Sequence, residues 1–240
     1  MTKVEEEAGD DNGGEITYEE LYKISREDCR EIQTLYELCF PIRYGDQFYR
    51  GLESGMYAGQ HLVSFIGRRN GVVVGVVCAS KEDASSNAPE SVVVDHGNTT
   101  YVMTLAVKES ERRRGLASKL MGNLLHWAQQ SCCTACYLHV IEYNTSAMEF
   151  YRKLGFAFHT REDGFYPQIE GKDYSAMVYV MYFNGGKPPP PKPLPLLPSI
   201  NSQFGVLDMV FDWITSVFGR WFSGGDSIVE EEEAGDHSMV

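Results

Sequence analysis

The stretch that most constrains the fold is residues 99–117, in which a strand pattern runs into a glycine-bearing turn and then into a helix. Its first half, up to Val107, is rich in β-branched and aromatic residues and contains no glycine or proline, which favours a strand. Gly115 then precedes a helix-compatible run from Leu116 to Gln130. Such a helix start gathers unpaired backbone N–H groups and the positive end of the helix dipole, and the pattern therefore favours bound phosphate groups.

The residues around this turn suit a phosphate site. Gly115 and Ala117 are small, so that phosphates can approach the main chain closely. Arg112, Arg113 and Arg114 supply cationic hydrogen-bond donors beside them. A capped, solvated helix end is the alternative interpretation of the same residues. The sequence lacks Gly-Lys-Ser/Thr and a second glycine two residues before this one, which argues against a nucleotide P-loop and a Rossmann fingerprint.

Charge is distributed unevenly along the 240 residues. Of the formal net charge of −13, residues 1–15 contribute −5 and residues 223–240 contribute −6, which leaves −2 for residues 16–222. This near-neutral body argues against nucleic-acid binding. The two acidic tails are poor in apolar residues and are predicted to be disordered. The length predicts one domain with appendages.

The cysteines match neither a disulfide framework nor a metal site. They are Cys29, Cys39, Cys78, Cys132, Cys133 and Cys136. The N-terminus has no apolar signal segment, so we expect a protein that is not secreted and that resides in a reducing, cytosolic environment. A zinc cluster of Cys132, Cys133, Cys136 and His139 is the alternative. We expect no metal there, because adjacent cysteines point in different directions and the histidine lies within a strand pattern.

Hydrophobic periodicity, capping residues and turn signals predict the remaining elements. The predicted helices span residues 25–39, 116–130 and 144–154, and residues 45–54 are predicted to form a short helix or a turn. The predicted strands span 16–23, 61–68, 72–79, 99–107, 134–141, 156–160 and 174–183, with an exposed loop over 80–98. Asn70-Gly71 fits a type I′ hairpin turn. Hairpins combined with a strand–helix–strand–helix–strand unit predict an α/β or α+β sheet domain over residues 16–186.

The C-terminal part changes character. Residues 187–202 are proline-rich and predict a semi-rigid spacer, which could also bind an SH3-type partner. Residues 203–222 place their apolar side chains, apart from Met209, on one half of a helical wheel and Asp208 and Asp212 on the other. Because charged residues recur within it, this helix is predicted to lie in a membrane surface rather than to span the bilayer. Docking on the domain or pairing with a second copy are the alternatives.

Two signatures resemble those of the GCN5-related N-acetyltransferase (GNAT) family. Arg-x-x-Gly-x-Ala at residues 112–117 resembles that family's acetyl-coenzyme A signature. Residues 144–156 resemble its segment Asn-x-x-Ala-x-x-Phe-Tyr-x-x-x-Gly-Phe. Together with Tyr-Leu-His-Val at 137–140 and Phe-Pro-Ile-Arg-Tyr at 40–44, the resemblance narrows to protein N-terminal acetyltransferases of the membrane-associated NatF type. It covers about residues 15–186.

The resemblance implies a mixed, mostly antiparallel seven-stranded sheet, splayed between its fourth and fifth strands, with flanking helices and with acetyl-CoA in the gap. It implies that the pantetheine arm lies along Leu105 and Val107 and that Asn144 and Tyr151 lie near the thioester. It also implies a pyrophosphate site formed by Arg112, Arg113, Arg114, Gly115, Leu116 and Ala117.

The resemblance further implies catalytic roles for Tyr101 and His139, although strand residues of these types are more commonly part of a core. The implied substrate-binding residues are Phe40, Pro41, Ile42, Tyr44, Tyr101, Phe165 and Tyr166. An α-amine has a reference pKa of about 7.7–8.0, against about 10.4 for a lysine side chain. A useful fraction of an N-terminal amine is therefore uncharged, and able to attack, at neutral pH. A histidine, with a reference pKa of about 6.5, can accept the remaining proton, whereas a tyrosine is a poor base and would orient water instead.

The resemblance therefore implies acetyl transfer from acetyl-CoA to protein N-termini, with retained Met followed by Lys or a hydrophobic residue as the expected substrate. Tethering by residues 203–222 implies a peripheral protein on the cytosolic face of the Golgi or plasma membrane, acting on membrane proteins that face the cytosol. Ala106 stands where relatives often have Gly, and Pro167 where the NatF type carries Tyr. Acetylation of lysines or histones, and a non-catalytic acyl-CoA-binding membrane scaffold, are the alternative functions.

Overall fold

A mixed β-sheet positions the functional elements. In the computed structural model, which describes the backbone of residues 4–6 and all of residues 14–82, 92 and 97–188, this sheet has nine strands. They are β1 (Val4–Glu6), β2 (Ile16–Leu21), β3 (Met56–Tyr57), β4 (Gln60–Arg69), β5 (Val72–Glu82), β6 (Thr99–Val107), β7 (Ala135–Ile141), β8 (Ala157–Ile169) and β9 (Lys172–Tyr182). Their order is β1-β2-β4-β5-β6-β7-β9-β8, with β3 paired to β4.

Four helices cover the sheet: α1 (Arg26–Cys39), α2 (Asp46–Ser54), α3 (Leu116–Gln130) and α4 (Thr145–Lys153). Two predicted helix starts are confirmed by their caps. The Ser25 hydroxyl accepts the backbone N–H of Asp28 at 3.1 Å, and the Asn144 side chain accepts that of Ala147 at 3.0 Å. Within the described residues, each helix is too short or too polar to cross a bilayer.

Two hydrophobic cores lie on opposite faces of the sheet. On one face, α3 and α4 bury Leu120 and Tyr151 against strands β4, β5, β6, β7 and β9. On the other face, α1 and α2 bury Ile32 and Phe48 against β4, β5 and β6. The central strands β4, β5 and β6 are thus covered on both sides, which explains their nearly continuous apolar runs.

The sheet splays between β6 and β7. These strands pair in parallel only where Thr99–Val102 meets Ala135–Leu138. Beyond that, residues 104–107 of β6 stay paired with β5, and residues 139–141 of β7 stay paired with β9. Since β6 and β7 are the fourth and fifth of the seven long strands, the predicted fold with its splayed sheet is confirmed.

A bulge in β6 marks where the splay begins. Val102 faces Ala79 of β5 and Thr104 faces Cys78, so that Met103 is an extra residue in β6. An extra residue bends its strand and increases the local twist. The bend carries the second half of β6 away from β7.

Strand boundaries depart from the sequence prediction in three places. β5 continues to Glu82, so the loop prediction was wrong for residues 80–82, which pair with β6. β8 extends to Ile169 rather than ending near Thr160, because its polar residues form an irregular edge ladder with β9. The short strands β1 and β3 were not predicted, and β1 lies within the acidic segment 1–15.

Several predictions fall on residues outside the described part. They concern most of the acidic segment 1–15, most of the loop 80–98, the proline-rich spacer beyond residue 188, the helix 203–222 and the acidic segment 223–240. These remain sequence-based predictions.

Two glycines of the α3 region give a matched test of the turn. Gly115 has φ of +84°, while Gly122 lies inside α3, and a Cβ on either would meet nothing within 4 Å among the described residues. We expect Gly115→Ala to lower the free energy of unfolding by about 1–2 kcal/mol, because left-handed backbone disfavours L side chains. Gly122→Ala should raise it by about 0.5–1 kcal/mol, as alanine favours helix interiors. Urea unfolding measures both, and shifts of the same sign would contradict this account of the turn.

Candidate active site

The gap between β6 and β7 opens into a cavity of about 750 Å³. This size falls within the range of about 300–1,000 Å³ that small-molecule and cofactor sites occupy. The predicted site residues in its wall are Phe40, Pro41, Ile42, Tyr44, Leu105, Val107, Arg112, Ala117, His139, Asn144, Tyr151 and Tyr166. Residues that are far apart in the sequence therefore meet at the splay.

Six predicted site residues lie outside this wall. Leu116 is buried in the core beneath α3. Phe165 is buried behind the His139 ring, and Tyr101 lies in the part of β6 that is still paired with β7. The other three, Arg113, Arg114 and Gly115, are exposed in the turn that leads into α3.

One end of the cavity meets the start of α3. Gly115 is the N-cap of this helix, no described side chain caps it, and the first turn contains no acidic residue. The first N–H groups of the helix therefore have no intrahelical acceptor, and the positive end of the helix dipole is not offset by a carboxylate in that turn. This arrangement is suited to an anion such as a phosphate.

The three arginines of the turn differ in their surroundings. Arg112 Nε donates to the Val107 carbonyl at 3.1 Å, which ties the turn to the end of β6. Arg114 Nη1 lies 3.5 Å from Glu111 Oε2, and this buried carboxylate is also held at 3.0 Å by Arg69 Nη2. Arg113 is exposed and adopts φ of +63°. From the sequence, the three arginines were expected to be equivalent donors. In the structure, Arg112 and Arg114 also help to fix the turn.

His139 lies in the opposite wall of the cavity, on β7. Its side chain is only 3% exposed. Nε2 lies 3.2 Å from Glu162 Oε2, and the ring stacks on Phe165 with centroids 4.1 Å apart and an interplanar angle of 11°. Nδ1 is buried and has no hydrogen-bond partner among the described residues. A buried ring nitrogen without a partner calls for an explanation, such as a water or a substrate that it binds.

Tyr101 lies beside His139. Its ring stacks on Tyr137 at 4.9 Å and meets the imidazole edge-on at 5.5 Å. Burial raises the pKa of Tyr101 well above its usual value, and neighbouring phenol groups and the carboxylates of Glu82 and Glu162 add to this effect. Tyr101 therefore stays protonated at neutral pH and can donate a hydrogen bond, but it is not suited to act as the base.

The wall formed by the loop after α1 is aromatic and uncharged. Phe40 and Tyr44 pack edge-to-face at 5.7 Å, and Tyr166 lines the same cavity. Burial raises the pKa values of Tyr44, Tyr151 and Tyr166, so these hydroxyls also remain protonated. Among the described residues that line the cavity there is no Asp or Glu. The wall thus suits an apolar side chain and an uncharged amine.

Two carboxylates near the site could not be found from the sequence. Glu162 lies in a polar run of β8, and Glu82 lies in a segment predicted to be a loop. Glu82 accepts hydrogen bonds from Tyr137 Oη at 2.7 Å and Thr99 Oγ1 at 3.2 Å, and burial raises its pKa. Only the pairing of the strands brings these residues together, and neither carries a local sequence signal.

The cysteines of the described residues do not form a metal centre. Cys133 and Cys136 are fully buried, whereas Cys132 is exposed. Over residues 14–82, 92 and 97–188, the structure contains no cluster of three His, Cys, Asp or Glu side chains that could hold a metal ion.

A protein family and two known proteins are similar to this chain, and these similarities bear on the function of the site. A family model described as "Acetyltransferase (GNAT) family" matches residues 29–156. The chain is 33% identical over 177 residues to N-alpha-acetyltransferase 60 of Xenopus tropicalis, covering 66% of this chain and 69% of that protein. It is 30% identical over 177 residues to N-alpha-acetyltransferase 60 of Danio rerio, covering 71% of this chain and 72% of that protein.

Solved structures of a plant protein are similar as well. The crystal structure of Arabidopsis thaliana NAA60 in complex with acetyl-CoA matches with a TM-score of 0.62 and 28% identity. The structure of the same protein in complex with a bisubstrate analogue matches with a TM-score of 0.61 and 28% identity. Each match covers 71% of this chain and 99% of the Arabidopsis chain.

The raised pKa of Tyr101 predicts how its replacement affects acetyl transfer. Because this hydroxyl stays protonated, Tyr101→Phe removes a donor and should lower kcat by about tenfold or more, while the shape of the pH profile between about pH 6 and 9 is kept. His139→Ala should lower kcat further, because it removes the group suited to accept the proton. Tyr22→Phe, a change at an exposed tyrosine outside the cavity wall, is the control. A rise of kcat with pH that is present in the wild-type protein and disappears only in Tyr101→Phe would show that Tyr101 is the base.

Proposed function

The chain belongs to the acetyltransferase (GNAT) family, and from this we propose that it transfers the acetyl group of acetyl-CoA to the N-terminal α-amine of proteins. As a member of this family it is an acetyl-CoA-dependent acetyltransferase. The observation that supports the proposal is the splay of β6 from β7, which opens a cavity lined by His139 and by residues at a helix start that is suited to anions.

Acetyl-CoA is proposed to enter this cavity with its pyrophosphate on the turn at residues 112–117. The unpaired N–H groups at the start of α3 and the exposed arginines support this orientation. The pantetheine arm would then run along Leu105 and Val107, whose backbone faces the gap because β7 has diverged. Asn144 and Tyr151 line the same cavity and are proposed to contact the thioester.

The substrate is proposed to be an N-terminus that retains its Met, followed by Lys or a hydrophobic residue. An apolar first side chain suits the aromatic wall of Phe40, Tyr44 and Tyr166, with Pro41 and Ile42 completing the loop. Since no carboxylate lines the described cavity wall, a charged lysine side chain that entered the cavity as the acetyl acceptor would find no opposite charge there.

The proposed reaction is a direct transfer within one complex of the enzyme with both substrates. His139 accepts a proton from the α-amine, and Tyr101 donates a hydrogen bond that orients the amine or a bridging water. The amine nitrogen attacks the thioester carbonyl carbon, the C–S bond breaks, and the coenzyme A thiolate leaves with its electron pair. Because burial raises its pKa, Tyr151 stays protonated, and its hydroxyl is suited to donate a hydrogen bond to that sulfur. Holding both substrates in contact is the main catalytic contribution.

The protein is further proposed to be peripheral on the cytosolic face of the Golgi or plasma membrane, acting on membrane proteins that face the cytosol. This rests on the sequence of residues 203–222, whose apolar half includes Trp213 and Trp221. The proline-rich residues 187–202 would serve as the spacer, and an SH3-type partner at this run is a secondary proposal.

A peptide panel separates the proposed activity from the alternatives. The full-length chain is incubated with acetyl-CoA and with peptides that carry a free N-terminus, a blocked N-terminus or lysines only, and the products are located by mass spectrometry. We expect acetylation at free N-termini that begin with Met, and none on peptides whose N-terminus is blocked. Acetylation of lysine side chains alone would support the lysine acetyltransferase, and no product with any peptide would support the scaffold.

Membrane binding is tested with two matched variants of the full-length chain. Ile214→Asp with Phe218→Asp places two charges on the apolar half of the proposed helix, whereas Thr215→Asp with Ser216→Asp places two on its polar half. We expect only the first pair to release the protein from neutral phosphatidylcholine vesicles in a flotation assay, because burying charge in the interface is costly. Equal release by both pairs, or no release by a deletion of residues 200–240, would refute the tether.

A further inference from the structure

The contact between His139 and Glu162 determines which ring nitrogen is free to react. Nε2 lies 3.2 Å from a Glu162 carboxylate oxygen, and the other ring nitrogen, Nδ1, is buried without a partner among the described residues. An ionised carboxylate can only accept hydrogen bonds, so the nitrogen that faces it must carry a proton. A neutral imidazole has one N–H, which leaves the lone pair on Nδ1.

Strand β8 holds this ring from two sides. Glu162 bonds to its edge, and Phe165, three residues later in the same strand, stacks on its face at 4.1 Å. The pairing of β8 with β9 is irregular between Glu162 and Tyr166, and Gly164 within it has φ of +68°. Irregular strand segments of this kind re-aim side chains next to active sites. Here the irregularity lets residues 162 and 165 both reach the same imidazole on β7.

We propose that Glu162 is a positioning residue that keeps neutral His139 in its Nε2–H tautomer, so that Nδ1 is the atom that accepts the proton from the substrate's amine. The inference rests on the proposed function. The proton leaves the amine nitrogen for Nδ1 as the nitrogen's electron pair forms the new bond to the acetyl carbon. The resulting imidazolium has its positive charge next to the Glu162 carboxylate, which stabilises it. Glu162 itself gains and loses no proton.

The tautomer is read directly by long-range ¹H–¹⁵N NMR on the full-length, ¹⁵N-labelled chain, with His139→Ala used to assign the signals. We expect the wild-type protein to show a single Nε2–H tautomer without any substrate present. Glu162→Met removes the acceptor and should give a mixture of tautomers. Glu162→Gln retains a neutral acceptor and should keep part of the wild-type pattern.

Kinetics test whether this orientation matters for turnover. We expect Glu162→Met to lower kcat by about tenfold or more while the KM for acetyl-CoA stays unchanged, because the base is misoriented but the coenzyme site is intact. Glu162→Gln should recover part of the loss. The matched control is Asp163→Asn, which removes the next carboxylate along β8 from a side chain that is 83% exposed, and we expect it to leave kcat unchanged.

Two results would overturn the proposal. One is a proton on Nδ1 in the wild-type protein, and the other is a folded Glu162→Met variant that keeps the full kcat. Failure of the proposed function would look different. Acetylation of lysine side chains alone, with the Nε2–H tautomer intact, would refute the α-amine substrate and still support the role of Glu162.

Discussion

The early end of the backbone ladder between β6 and β7 is the constraint on which the rest of the structure depends. Four residues of each strand pair in parallel, and the strands then diverge after the bulge at Met103. Backbone polar groups that lose their ladder partner must find another one, because leaving them unpaired in a buried place costs free energy. At the splay, a bound ligand can be that partner, and the sheet thereby creates a binding site from its own unpaired main chain.

Side chains from other elements stabilise the open end of β6. The Val107 carbonyl accepts from Arg112 Nε at 3.1 Å and from the Cys39 thiol at 3.6 Å. Within the buried face, Tyr36 and Thr104 share a hydrogen bond of 2.5 Å between their hydroxyls. These contacts join α1 and the arginine turn to the strand that has lost its neighbour. Arg112, one of the residues that suit a phosphate site, therefore also fixes the open end of β6.

Local signals allowed much of the fold to be predicted from the sequence. Asn70 and Gly71, with φ of +53° and +81°, form the predicted hairpin turn, and Ser25 and Asn144 cap the helices that they were expected to start. Each of these features depends on residues within a few positions of one another. Twelve of the predicted site residues line the cavity, but they were predicted through resemblance to a family rather than through the residues' own physical chemistry.

The contacts that could not be predicted from the sequence are those that depend on strand register. Glu162 meets His139, and Glu82 meets Tyr137, only after residues separated by 23 and 55 positions have been aligned in the sheet. The bulge at Met103 likewise carries no signal, since its sequence surroundings are typical of a regular strand. The charged residues in β8 and at the end of β5 likewise resemble a loop in the sequence. Their strand partners can be identified only once the sheet has formed.

Amide hydrogen exchange of the full-length chain, with and without coenzyme A, tests the central claim most directly. If the coenzyme occupies the splay, the amides of residues 103–107 and 113–118 should exchange more slowly in its presence, while those of the hairpin formed by β4 and β5 should not change. Binding that leaves both segments unprotected, or no binding at millimolar coenzyme A, would contradict the account.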